Sequence, residues 1–130
     1  MMLQLRRGLV LTLAAAPLMF ALPAWSHHSA GAYDHTKEVT VTGTVKDWEW
    51  TNPHSFMTVN GADASSKTAD YLIEWPSPME LQNRGYRRSL AKVGDKVIVK
   101  FHPNKDGRLG GLFTDITTPE GKSLKATQTP

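Results

Sequence analysis

The chain has 130 residues, no cysteine, and 15 basic against 12 acidic side chains. No cysteine means no disulfide staple, no thiolate metal ligand and no cysteine nucleophile, so any metal site must use nitrogen and oxygen donors. The excess of base is no nucleic-acid signature: Arg6 and Arg7 lie in a segment expected to be removed, and what stays is close to neutral with no concentrated basic face.

Residues 1–26 read as a secretory signal peptide. Arg6 and Arg7 form its charged end, Leu9 to Leu22 its apolar run, and Ala24-Trp25-Ser26 places small residues where cleavage before His27 requires them. Cleavage after Ala24 or before Ser26 also fits. An uncleaved anchor is the alternative, but the apolar run is short for a span of roughly 20 residues and Pro17 interrupts it. Removal leaves 104 residues, enough for one modest core. The expected location is periplasmic or secreted, with no membrane insertion after cleavage.

Residues 27–37 (HHSAGAYDHTK) form a polar, His-rich arm without a period. From Val39 to Val45, valines alternate with threonines, the pattern of a half-buried strand, and Gly43 marks a bend or close packing. Trp48 and Trp50 have the opposite parity, and a bulge near Lys46-Asp47 returns them to the same face. Thr51-Asn52-Pro53 breaks the strand. His54 to Val59 reads as strand two, residues 60–69 as a loop, and Tyr71 to Trp75 as strand three. Ser77, Pro78 and Glu80 make a capping-box helix start, ended at Gly85. Lys96 to Phe101 is strand four, Asn104 to Gly107 a hairpin turn, and Gly110 to Thr117 strand five. The class is mainly β. Five strands with one short helix between strands three and four predict a small OB-like barrel over residues 38–125. A small open sandwich or meander is the alternative.

Histidines are the sharpest chemical signal. If His27 becomes the N-terminus, its amine and imidazole chelate an ion together; if cleavage precedes Ser26, the amine, two amides and the His28 imidazole make a square-planar copper(II) site. The alternative is a solvated arm. His54 follows the Asn52-Pro53 turn between Trp50 and Phe56, a platform for a ligand or an imidazole that simply holds the turn. His102 precedes Pro103 at the end of strand four, and in an OB barrel the loops after strands one and four flank one binding face. His35, beside Asp34, is a fourth candidate. Against this stands geometry: the arm meets the start of strand one while His54 follows its end, so the arm must fold back along the barrel to reach it.

The aromatic residues give a second reading. Exposed, Trp50 and Trp75 with Asn52 would bind a small molecule, glycan or exported partner protein; buried, the tryptophans are core, which their size favours. Arg84, Arg87 and Arg88 form a small basic cluster, an anion contact or a solvated face. Asp47, Glu49 and Glu74 have no placement as an acid–base pair, and no hydrolase, nucleotide or zinc-protease motif is present. The expectation is a non-enzymatic binding protein. Its first ligand candidate is copper(II) or another divalent ion on His27, His28, His54 and His102. A metal-dependent enzyme with an N-terminal histidine chelate is a third reading.

His27-His28-Ser29 after the signal, Gly43-Thr44-Val45, Trp50-Thr51-Asn52-Pro53-His54, Glu74-Trp75, Leu81, Gly85, Gly94-Asp95-Lys96-Val97 and the glycines from 107 to 111 occur together. The set resembles a family of short exported bacterial proteins of unknown function. The resemblance implies a periplasmic or secreted single domain and no particular reaction, substrate or cofactor. It points first to His27, His28, Asn52, Pro53 and His54.

Overall fold

The structure is a computed structural model and describes residues 30–126. Residues 1–26, expected to be a signal peptide, and His27 and His28 lie outside the described residues. Five strands form the framework: β1 (Val39–Glu49), β2 (Ser55–Ala62), β3 (Thr68–Trp75), β4 (Lys96–Pro103) and β5 (Gly110–Thr117). They close into a barrel in the order β1-β2-β3-β5-β4. Neighbours are antiparallel except β3 and β5, which run parallel over Leu72–Glu74 and Gly110–Leu112. Closure gives each of these strands two neighbours, the β3–β5 seam being the shortest. The fold is the expected OB-like barrel, with helix α1 (Pro78–Asn83) between β3 and β4.

Alternation drives the strands into place. Val41, Val45, Met57, Val59, Ile73, Val97, Val99 and Ile116 point inward and are at most 1% exposed. The expected bulge is present: the β1–β2 register shifts between Val45 and Asp47. Beyond it Trp48 turns back onto Trp75, ring centres 4.9 Å apart. β2 and β3 run further than their sequence suggests, so the expected loop at 60–69 shrinks to 63–67. Asn60, Gly61 and Ala62 are polar or small, yet they pair with Thr44, Gly43 and Thr42. Gly43 and Gly61 face each other so closely that a Cβ on either would collide with the opposite backbone. Composition hides a pairing that two glycines make necessary.

Helix α1 closes one end of the barrel. Ser77 accepts from the Glu80 backbone N–H at 3.3 Å and Pro78 takes the first turn. The reciprocal half of the capping box is absent, because the Glu80 carboxylate pairs with Arg84 instead. Gly85, at φ +85°, ends the helix, and the Tyr86 N–H returns to the Leu81 carbonyl at 2.9 Å. Leu81 and Tyr86 are thereby seated in the core, where Tyr86 meets Trp75 edge-on and Trp75 stacks on Phe113 at 3.5 Å and 13°.

Candidate functional site

Glu74 lies between two inward residues of β3, Ile73 and Trp75, so the pleat sends it outward. Registers place it in a row across four strands: Phe56 of β2, Glu74 of β3, Leu112 of β5 and His102 of β4. The row crosses the face that OB barrels use for ligands. At the top of this face the chain turns through Trp50 to His54, with a cis Asn52–Pro53 peptide bond. The Thr51 hydroxyl donates to the His54 carbonyl at 3.1 Å. The turn delivers the His54 ring to Glu74, Nδ1 lying 2.8 Å from Oε1.

The other oxygen of Glu74 accepts from the Tyr33 hydroxyl. Tyr33 belongs to the arm, and the arm lies along the start of the β4–β5 loop. Tyr33 bridges Asn104, the Asp34 N–H donates to the Pro103 carbonyl at 2.9 Å, and the Lys105 N–H donates to the Ala32 carbonyl at 3.0 Å. The described part of the arm therefore lies over this face: Tyr33 and His54, 21 residues apart in the chain, meet on one carboxylate whose side chain is 12% exposed. Burial pushes the Tyr33 hydroxyl well above its ordinary titration range, and the hydrogen bond to Glu74 adds to the shift. A carboxylate accepts, so the His54 Nδ1 carries the hydrogen, and in the neutral ring the lone pair is then on Nε2.

A family model matches residues 16–114, which include Tyr33, His54, Glu74 and most of the barrel. The chain belongs to this family of unknown function (DUF6152). No curated protein and no solved structure matches the chain.

On this family member, two cavities of about 320 Å³ each flank Glu74. One is lined by Pro53, His54, Ser77, Arg84 and Leu112. The other is lined by Tyr33, Phe56, Leu72, Asn104, Arg108 and Leu109. A slightly larger hollow of about 360 Å³, near Leu90, Thr118 and Leu124, has no histidine or tyrosine in its wall. The Glu74 face is the better candidate because the oriented imidazole is there.

The remaining sequence candidates divide. His102 lies in the same row as Glu74 but its Nδ1 is 2.7 Å from the Lys37 carbonyl and its ring is against His35, centres 4.8 Å apart. Among the described residues no group of three or more histidines, cysteines or acids is arranged to hold a metal ion. His54 and His102 thus do not share one cluster with Glu74. Trp75 is 0% exposed, and the reading that gives it an exposed stacking face is corrected: its parity turns it into the barrel onto Phe113. Trp50 is half-buried, edge-on to Trp48 at 5.4 Å. Asn52 is exposed in the turn. Asp47 and Glu49 stand on β1, which β2 separates from β3, so they do not pair with Glu74. In the arginine cluster, Arg84 is held by Glu80 and Arg87 by the Gln82 and Tyr86 carbonyls. Sequence reasoning missed Tyr33 and gave Glu74 no partner. The signals for Glu74 were an acid between two core positions of a strand and its place, with Trp75, in the family resemblance. Among the described residues no helix is long and apolar enough to cross a membrane.

Proposed function

We propose that the chain is an exported, non-enzymatic binding protein that holds copper(II) or another borderline divalent ion through His54 and the arm histidines His27 and His28. One observation carries this reading: Glu74 grips His54 with one oxygen and the arm's Tyr33 with the other. Metal-binding histidines commonly pass their second ring N–H to a carboxylate, which fixes the tautomer and makes the ligating nitrogen more basic. His54 has that arrangement. The same carboxylate fastens the arm five residues from His28, a reach of at most about 17 Å. Nitrogen donors suit copper(II), and the absence of thiols excludes sulfur-rich copper or zinc sites. Export rests on the signal pattern of residues 1–26. Sequestration or delivery is the action such a site performs. It weakens at acid pH, because protons compete for the imidazoles.

Titration of the exported chain with copper(II) tests the reading. His54→Ala and His27→Ala should each lower affinity by about tenfold or more, since even loss of a supporting residue behind a ligand has an effect of that size. Unchanged affinity in both variants would reject these ligands.

A second reading has its own observation. Phe56, Leu72 and Leu109, the last two 52% and 42% exposed, meet Asn104 and Arg108 around the cavity beside Tyr33. Such a wall suits a small molecule with an apolar body and an anionic group. With Trp75 in the core, this patch rather than the tryptophans forms the apolar part of the face. Arg108→Ala would then abolish binding of a hit from an anionic metabolite panel and leave copper binding unchanged.

A further inference from the structure

His35 and His102 come from separate segments, the arm and β4, and meet away from the Glu74 carboxylate. Their ring centres are 4.8 Å apart and the planes are tilted by 59°, so the rings do not stack. The His102 Nδ1 is 2.7 Å from the Lys37 carbonyl. A carbonyl only accepts, so Nδ1 carries the hydrogen, and in the neutral ring the lone pair is then on Nε2. We propose that His35 and His102 form a second, independent site for a borderline divalent cation, whose occupation pins the arm to the barrel.

The spacing fits that chemistry. An imidazole nitrogen binds zinc or copper at about 2.0–2.1 Å, which puts each ring centre about 3.2 Å from the ion. With one nitrogen of each ring turned to a common ion, two such centres 4.8 Å apart would subtend an angle close to 100° at it. That lies between the 90° of neighbouring square-planar ligands and the tetrahedral angle of about 109°.

The arm holds His35 in a built turn. Asp34 Oδ1 accepts from the Thr36 N–H at 3.1 Å and from the Thr36 hydroxyl at 2.6 Å, and Oδ2 pairs with Lys37 at 3.1 Å. The Lys37 N–H returns to the Asp34 carbonyl at 3.1 Å. Both oxygens of Asp34 are engaged within the turn, so this carboxylate positions His35 rather than serving as a third ligand. Two imidazoles leave the other coordination places to water or to exchangeable ligands. The ion held there is therefore labile, unlike one in a closed four-ligand structural site. Nothing in this site depends on His54.

The chain has five histidines. Replacing His27, His28 and His54 together by Ala leaves His35 and His102 as its imidazoles, and zinc(II) is the probe. The untagged exported triple variant should bind one equivalent, with the ring resonances of both residues shifting in NMR spectra. In that background His102→Asn keeps a side-chain N–H for the Lys37 carbonyl but has no Nε2. It should bind zinc at least about tenfold more weakly with an unchanged melting curve, and His35→Ala should do the same. No binding by the triple variant, or binding indifferent to both substitutions, overturns the second site. The first site is judged separately: if it exists, the unsubstituted chain binds one more ion than the triple variant.

Discussion

Glu74 and Trp75 are adjacent in β3, yet they belong to two regions with opposite logic. Trp75 points into the barrel, where it stacks on Phe113 and meets Trp48 and Tyr86 edge-on. Glu74 points out, where it meets polar groups brought from a turn and from the arm. The interior is held by contact area, which is non-directional and tolerant of exchange at constant volume. The outer face is held by directional bonds to a single carboxylate, so its stability contribution is smaller and its geometry more exacting. The lesson is that a one-residue step along a strand separates what keeps this molecule folded from what orients its histidine.

Breaking the interior should give the largest effect. Trp75→Ala removes a fully buried indole and should lower unfolding free energy by about 3–5 kcal/mol, read as a fall in denaturation midpoint. Trp75→Phe preserves a ring over Phe113. It also removes an indole N–H that has no hydrogen-bond partner among the described residues, and a buried unpaired donor is itself unfavourable. The loss for Phe should therefore be less than half that for Ala. Equal losses would show that a phenyl ring over Phe113 recovers nothing of what the indole contributes.

Breaking the outer face should separate stability from binding. Glu74→Gln keeps the shape of the side chain but removes the charge that two donors share. The expected destabilisation is about 1–2 kcal/mol, with copper affinity falling roughly 10- to 100-fold as His54 loses its orienting carboxylate. Tyr33→Phe removes only the arm's bond and should weaken copper binding less than Glu74→Gln does. If Tyr33→Phe proved the more damaging, the arm's attachment rather than the imidazole's orientation would be the controlling contact.

This division also explains what could be read in advance. Barrel and helix were legible because alternation, the bulge before Trp48, the Ser77-Pro78 start and the Gly85 stop are all local patterns. The Glu74 contacts were not, because they join residues 41 and 20 positions away. Tyr33 stands in a segment with no periodicity, and its docking is decided by backbone bonds to Pro103 and Lys105. No property of HHSAGAYDHTK announces those bonds. The pairing of Asn60–Ala62 was hidden for the same reason, since the partner glycine stands 18 residues back at Gly43.

The smallest effect comes from alkaline titration, and it compares the two regions within one measurement. The chain has three tyrosines, and all three titrate above the ordinary value of 10, with burial the first cause in each. Ionisation is therefore disfavoured in the folded state. The resulting stability is fully present below pH 10 and is lost as pH rises from there toward the folded-state values. The folded protein should show little tyrosinate absorbance at pH 10, where three ordinary tyrosines would be half ionised. Behind burial, a carboxylate raises both Tyr33 and Tyr71, but it is Glu74 for Tyr33 and Asp63 for Tyr71; Tyr86 instead faces Lys125, which works the other way. Glu74→Gln should therefore lower one of the three titrations and leave Tyr71 and Tyr86 in place. A uniform drop in all three would mean that the substitution had loosened the whole barrel, and that the outer face is not separable from the core.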